Sequence, residues 1–231
     1  MRYENLIQGF LDVFGYQITS MPSLAKFLES RKINLVLDVG ANVGQFGLKI
    51  RKRGYRGEII SFEPIPEAAE KLRQVAIRNQ PWTVHQVGLG ATDGELDLNV
   101  SENSVFSSFL QQTDFSRDFD KSSAVAYVIK TRVQRLDNYI SQLVGKSVFL
   151  KIDVQGLESQ VLAGVGECMK SIEGILLELP AKHLYENTWL FEEAVAELRR
   201  LGFVIAQVRP VNRIPNDRAS IVELDCVFRR V

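Results

Sequence analysis

Apolar positions along the chain fall into two regimes. Up to residue 31 they recur at three- and four-residue spacing: Leu6, Ile7, Phe10, Leu11 and Phe14 form one stripe, and Leu24, Phe27 and Leu28 another. That period predicts two amphipathic helices broken near Met21-Pro22, an N-terminal segment (1–33) packed on the main domain. Residues 20–23 supply capping chemistry for the second helix, with Pro22 near its first turn. From Asn34 onward short apolar runs alternate with helical stretches. The runs cover residues 35–37, 58–62, 82–87, 148–152, 174–179, 203–208 and 226–228. Strands alternating with helices predict an α/β domain over 34–231, with a mostly parallel sheet covered on both faces. The last two runs are separated by residues 210–220, which hold two prolines and no helical period, so an irregular connection and an antiparallel closing pair are expected.

The alternation is interrupted between about 95 and 133. Residues 95–100 and 127–133 have the period and β-branching of extra strands. The Ser- and Asp-rich residues 101–124 between them predict a long loop. Phe106, Phe109, Phe115 and Phe119 give that loop enough apolar surface to fold over something, so it is expected to act as a lid.

Composition narrows the function classes. The 231 residues are 45% hydrophobic and carry 28 basic and 28 acidic side chains, so no overall positive field attracts nucleic acid or anionic lipid. Cys168 and Cys226 are far apart and lack neighbours at metal-ligand spacing, which excludes a disulfide framework and a structural zinc site, and no metal is expected. No apolar stretch is long enough to span a bilayer, and no signal-peptide profile precedes the first helix, so a cytoplasmic location is expected.

The strongest chemical signal is the run Leu35-Val36-Leu37-Asp38-Val39-Gly40-Ala41-Asn42-Val43-Gly44, a buried strand entering a glycine-containing turn and then a helix. Such a turn lets a ligand lie against bare backbone. Glu63 follows 19 residues after Gly44 at the end of the next strand, where a carboxylate accepts both hydroxyls of a ribose. A dinucleotide fingerprint has glycine where Asn42 stands, which counts against NAD. The pattern acid-x-Gly-x-x-x-Gly suits S-adenosylmethionine, with Asp38 serving its ammonium directly or through water. Asp153 ends a further strand before a helix, so Asp38, Glu63 and Asp153 are expected to border one crevice at the carboxyl ends of the strands. Glu158 is read as an ordinary helix residue.

These residues resemble the FkbM family of S-adenosylmethionine-dependent methyltransferases. The matching pieces are residues 38–44, Phe62-Glu63-Pro64, residues 87–90 with Asp93-Gly94, Ser107-Ser108, Arg135-Leu136-Asp137, residues 150–158 and Asp225-Cys226-Val227-Phe228. Gln155 departs from the family pattern, standing where an acid often follows the strand-end Asp-Val, which weakens a divalent-metal role for this segment. The resemblance implies a Rossmann-like class I methyltransferase fold: a seven-stranded, mostly parallel sheet with an antiparallel last strand and a small β insertion. It also implies O-methylation of a sugar, glycolipid or natural-product hydroxyl. Carried over by position, Gly40, Ala41, Asn42 and Gly44 would cradle the methionine portion, Glu63 and Pro64 would adjoin the ribose, and Gly88 and Leu89 would border the adenine.

An alcohol acceptor must lose its proton, which calls for a general base within hydrogen-bond reach. The candidates are Asp153, Glu178 and His183, the last attractive for its ordinary pKa and equally readable as a surface loop residue. His85, inside an apolar run, reads as structural. Ser107 and Ser108 are candidates for contact with cofactor or acceptor, or for closing the loop, and Tyr185 for an acceptor wall or the core. Expected partners are a small-molecule or glycan acceptor with a free hydroxyl and, as an option, further copies in a homo-oligomer. Two alternatives stand beside this reading: a non-catalytic S-adenosylmethionine-binding partner module, and an NAD-dependent oxidoreductase.

Overall fold

A computed structural model describes residues 13, 23–119, 121–186, 188–214 and 217–231. Of the two expected N-terminal helices, the first lies outside the described residues apart from Val13. The second is α1 (Leu24–Ser30), whose N-cap Ser23 accepts a hydrogen bond from the Lys26 amide at 3.3 Å. Its buried Phe27 meets the Phe149 ring edge-on, with centroids 5.7 Å apart.

The chain continues through β1 (Leu35–Val39), α2 (Gln45–Lys52), β2 (Glu58–Phe62), α3 (Pro66–Ile77) and β3 (Trp82–His85). A second sheet then interrupts the alternation with β4 (Gly88–Leu89), β5 (Gly94–Ser101) and β6 (Val125–Gln134), the short helix α4 (Asp114–Phe119) lying between the last two. The alternation resumes with α5 (Ile140–Leu143), β7 (Val148–Ile152), α6 (Glu158–Ala163), β8 (Ile172–Pro180) and α7 (Phe191–Arg200). A hairpin of β9 (Phe203–Ile214) and β10 (Asp217–Arg230) ends it.

The main sheet has seven strands in the order β3-β2-β1-β7-β8-β10-β9. The first five are parallel, and β10 runs antiparallel to both β8 and β9. The smaller sheet has the order β4-β6-β5. Every residue of β1 and β7 is buried, as expected of central parallel strands covered on both sides. Alternate side chains feed two separate cores: Leu35, Leu37, Leu150 and Ile152 on one face, Val36, Phe149, Leu176 and Val227 on the other. No described helix is long and apolar enough to cross a membrane.

Two expectations about element limits are corrected. The stretch 210–220 is not irregular: β9 and β10 extend through most of it, with Pro210 paired to Leu224 and several register shifts along the ladder. Pro210 is tolerated because β9 is the sheet edge, where a missing N–H breaks no second ladder. The run 82–87 ends as a strand at His85, and the Val87 amide turns back to the His85 carbonyl at 3.1 Å before β4 joins the other sheet. The described residues of 101–124 include two 3-10 turns and α4, and the backbone bridge between Asn99 and Ser108 folds the stretch back on β5.

Helix α2, which begins at the turn after β1, sits on the Trp82 ring. A Cβ added at Gly47 would lie 2.2 Å from Trp82 Cη2, so a glycine is needed for the helix to approach the indole. The indole N–H is fixed by the Ser61 hydroxyl at 2.9 Å and does not yield easily. Gly47→Ala is expected to lower the unfolding free energy by about 1–3 kcal/mol, the usual cost of overpacking, as read from urea denaturation.

Candidate active site

The strand order reverses between β1 and β7, and there the two strand ends meet. The Asp153 amide donates to the Val39 carbonyl at 3.1 Å, and a Cβ on Gly40 would fall 1.8 Å from the Asp153 carbonyl oxygen. With φ at +71° as well, only glycine fits position 40. The turn from Gly40 leads to Gly44, which opens α2 at φ +92°. Asn42 adopts φ +47°, a conformation asparagine tolerates better than most residues. The turn is tied to β2 because the Gly40 and Ala41 amides both donate to the Phe62 carbonyl, at 3.0 and 3.2 Å.

Glu63 completes this tie. Its Oε2 accepts the Asn42 amide at 2.7 Å and its Oε1 accepts the Ile65 amide at 2.9 Å. Each carboxylate oxygen keeps a second lone pair for a ligand hydroxyl. Burial pushes the Glu63 carboxyl up to about 7, against the pull of those two amides.

The residue that organises the crevice is Lys151, on β7, which the sequence reading passed over as a strand position. Its buried ammonium lies 3.2 Å from Asp38 Oδ1 and 3.3 Å from Asp153 Oδ2, and donates to the Gly40 carbonyl at 2.9 Å. Burial alone would lower its pKa, but Asp153 and Asp38 outweigh that and hold it above the ordinary lysine range. Lys151 therefore keeps its proton. A lysine inside a strand of otherwise apolar residues was the available signal, because lysine is almost never buried unless paired.

These elements enclose a cavity of ≈ 300 Å³. Gly40, Ala41, Asn42, Glu63, Pro64, Gly88, Leu89, Ser107, Asp153 and Glu178 all line it, so the structure brings most of the sequence-predicted site residues together. Val87, Leu98 and Phe109 add an apolar slot beside Gly88 and Leu89. The wall also includes Phe46, Lys49, Gln155 and Asp225, which the sequence reading did not select as site residues. Gln155, held at φ +53°, donates through Nε2 to Asp153 Oδ1 at 3.0 Å. Burial and then the carboxylates of Asp153, Glu223 and Asp225 push Glu178 far above the usual carboxylate range.

Other candidates lie elsewhere. Asp38 is fully buried and is not among the residues of the cavity wall; it is paired with Lys151, which does line the cavity. Gly44 is likewise behind the wall, against Leu72 and Trp82. His183 is exposed, its Nδ1 3.0 Å from the Thr188 hydroxyl, and the turn after β8 carries it away from the cavity. Ser108 and Tyr185 are buried ties: the Ser108 hydroxyl donates to the Gln155 carbonyl at 2.5 Å, and the Tyr185 hydroxyl lies 3.1 Å from both Gln155 Oε1 and the Phe106 carbonyl. Glu158 accepts the Val154 and Gly156 amides at 3.3 and 3.1 Å, capping the turn before α6. His85 stacks on Phe62 at 5.3 Å and packs against Tyr139.

A carboxylate with two spare acceptor positions, an adjoining apolar slot and a glycine turn of bare backbone fit an adenosine-containing cofactor. The comparison with known families decides which. Residues 38–205 match the family described as Methyltransferase FkbM domain. The chain belongs to the FkbM methyltransferase family. It is an S-adenosylmethionine-dependent methyltransferase of class I fold, and the oxidoreductase alternative is set aside. Among relatives of this FkbM methyltransferase, Methyltransferase 1 of Beauveria bassiana is 26% identical over 191 residues, covering 77% of this chain and 75% of that one. AMB antimetabolite synthetase AmbE of Pseudomonas aeruginosa is 29% identical, covering 74% of this chain but only 10% of the synthetase. The 2-O-methyltransferase NoeI of Sinorhizobium fredii is 25% identical, covering 66% of each chain. Among solved structures, Aeropyrum pernix fibrillarin with bound S-adenosyl-L-methionine aligns with TM-score 0.49 and 14% identity, covering 84% of this chain and 66% of that one.

Two predictions follow from this electrostatic arrangement. With Glu63 raised from 4.5 to about 7, the folded chain retains a proton in that window that the unfolded chain has released. This group's contribution to stability therefore falls as pH rises from about 4.5 to 7, and Glu63→Gln should flatten that slope in thermal unfolding measured across pH. Removing the buried ammonium leaves Asp38 uncompensated, so Lys151→Met should cost about 3 kcal/mol in chemical denaturation. Asp38→Asn combined with Lys151→Met should recover part of that loss.

Proposed function

We propose that this FkbM methyltransferase methylates a hydroxyl oxygen of a small-molecule or glycan acceptor, on a sugar, a glycolipid or a natural product. The observation that carries the reading is Asp153: its side chain is 32% exposed at the cavity wall and is held by Lys151 on one oxygen and Gln155 on the other. A carboxylate oriented by two donors is a fixed proton acceptor, which an alcohol acceptor needs. S-adenosylmethionine, when bound, supplies an electrophilic methyl group on a positively charged sulfur. The protein's contribution is then alignment in a dry site together with removal of one proton.

In this reading Glu63 accepts the ribose hydroxyls, with Pro64 beside it, and Gly88 and Leu89 border the adenine. The turn formed by Gly40, Ala41, Asn42 and Gly44 holds the methionine portion, and Asp38 acts on that turn through Lys151. Residues 101–124 serve as the lid, latched by the Asn42 amide group donating to the Ser104 hydroxyl at 3.0 Å, with Ser107 on its inner side. Asp153 takes the hydroxyl proton. Glu178, whose carboxyl is pushed above the usual range by burial and the neighbouring carboxylates, stands beside Asp153 on the acceptor side. Ser108 and Tyr185 hold the wall in place, and His183 is left without a catalytic role. The Asp153 and Asp225 carboxylates on the acceptor side disfavour a phosphate backbone, which supports a small-molecule or glycan acceptor over nucleic acid. The 2-O-methyltransferase activity named for NoeI supports oxygen as the methylated atom.

A screen of sugars and natural-product alcohols with S-adenosylmethionine, read by mass spectrometry, should yield an O-methyl product. With that acceptor, Asp153→Asn should lower kcat by about a hundredfold, the scale of lost general-base catalysis, while affinity for S-adenosylhomocysteine stays within about threefold. Wild-type turnover by this variant would remove Asp153 as the base.

A further inference from the structure

The cavity does not end at Asp225. Four of its wall residues, Phe46, Lys49, Leu176 and Asp225, also line a narrower groove of ≈ 50 Å³ that runs between α2 and the β8-β10-β9 edge of the sheet. The groove adds Leu24, Ile50 and Val227 as apolar lining, and Arg53 and Arg209 as cationic lining.

Sheet register gives this path a direction. Glu178 on β8 pairs with Asp225 on β10, and Asp225 pairs with Arg209 on β9. Asp153 follows Ile152, whose partner on β8 is Leu177, and so continues the same row beside Glu178. Read across the sheet, the row is Asp153, Glu178, Asp225, Arg209: carboxyl groups at the methyl-transfer end and a guanidinium at the other. The row beneath it, Leu176, Val227 and Gln207, supplies a largely apolar floor. Lys49 on α2 and Arg53 just after it line the same groove, so its described lining includes three cationic side chains, Lys49, Arg53 and Arg209, beside the Asp225 carboxylate. Asp225 is itself drawn down by Lys49, Lys151 and Arg209, although burial and Asp153 keep it above the usual range.

We infer that this groove is the distal half of the acceptor site and that the acceptor has three parts. A hydroxyl lies at Asp153, a slender apolar segment lies over Leu176 and Val227, and an anionic group lies among Lys49, Arg53 and Arg209. Three strand spacings separate Asp153 from Arg209, which puts the anion about 14 Å from the methylated oxygen. The inference rests on the methyltransferase reading and narrows its acceptor class.

The test is calorimetric titration of the full chain saturated with S-adenosylhomocysteine, using three probes of equal chain length: ω-hydroxydodecanoate, ω-hydroxydodecyl phosphate and dodecanediol. Both anionic probes should bind about tenfold more tightly than the diol, and the ratio between them identifies the preferred anion. That preference should shrink to less than about threefold in Arg53→Ser and in Arg209→Ser, with S-adenosylhomocysteine affinity as the control for folding. In the wild-type protein the preference should also fall at high ionic strength. Equal affinity for the diol and the anions, or a preference that survives both substitutions, overturns the inference. Failure to bind S-adenosylhomocysteine at all would instead contradict the cofactor assignment, so the two failures are distinguishable.

Discussion

One buried ammonium holds the crevice together. Lys151 neutralises Asp38 beneath the glycine turn and Asp153 beside it, and it pins the Gly40 carbonyl, so the ends of β1 and β7 share a single cation. Without it, the fully buried Asp38 carboxylate would lose its counter-ion beside the part-exposed Asp153 carboxylate, and the two like charges would repel. The close approach of the β1 turn to the end of β7, where Gly40 leaves no room for a side chain, depends on the same cation. Position and charge are thus set together: the geometry that admits a ligand to the turn also orients the carboxylate at its rim.

Around that centre the site divides into chemically distinct parts. The Glu63 side is made of backbone amides, a carboxylate with spare acceptor positions, and an apolar slot, which suits a nucleoside. The Asp153 side is rich in carboxyl groups, one of them strongly raised by burial and its neighbours, which disfavours an anion there. Farther along the same sheet row the charge inverts at Arg209. Strand register spaces these changes along the cavity, so the sheet acts as a ruler for the acceptor.

Much of the fold was legible because its signals are local. Central strands such as residues 148–152 read as continuous apolar runs, and Asp38, Gly40 and Glu63 stand at spacings that only a strand-turn-helix unit explains. What the sequence did not show has non-local causes. Asp38 looked like a ligand because its ion pair is with a residue on a neighbouring strand, more than a hundred positions away. His183 was a candidate base for its ordinary pKa and equally readable as a surface loop residue, and the turn after β8 takes it to the surface. The hairpin was underestimated because Pro210 argues against a strand everywhere except at a sheet edge, and edge position is a property of the whole sheet. Lys151 and Asp225 drew no notice as site residues, since their importance lies in what the register places beside them.

The most direct measurement is calorimetric titration of the purified chain with S-adenosylhomocysteine and, separately, with NADH. A cavity built on Glu63, the glycine turn and Lys151 should take one S-adenosylhomocysteine per chain with micromolar affinity, about −8 kcal/mol, and give no heat with NADH. Binding of NADH alone, or of neither compound, would contradict it.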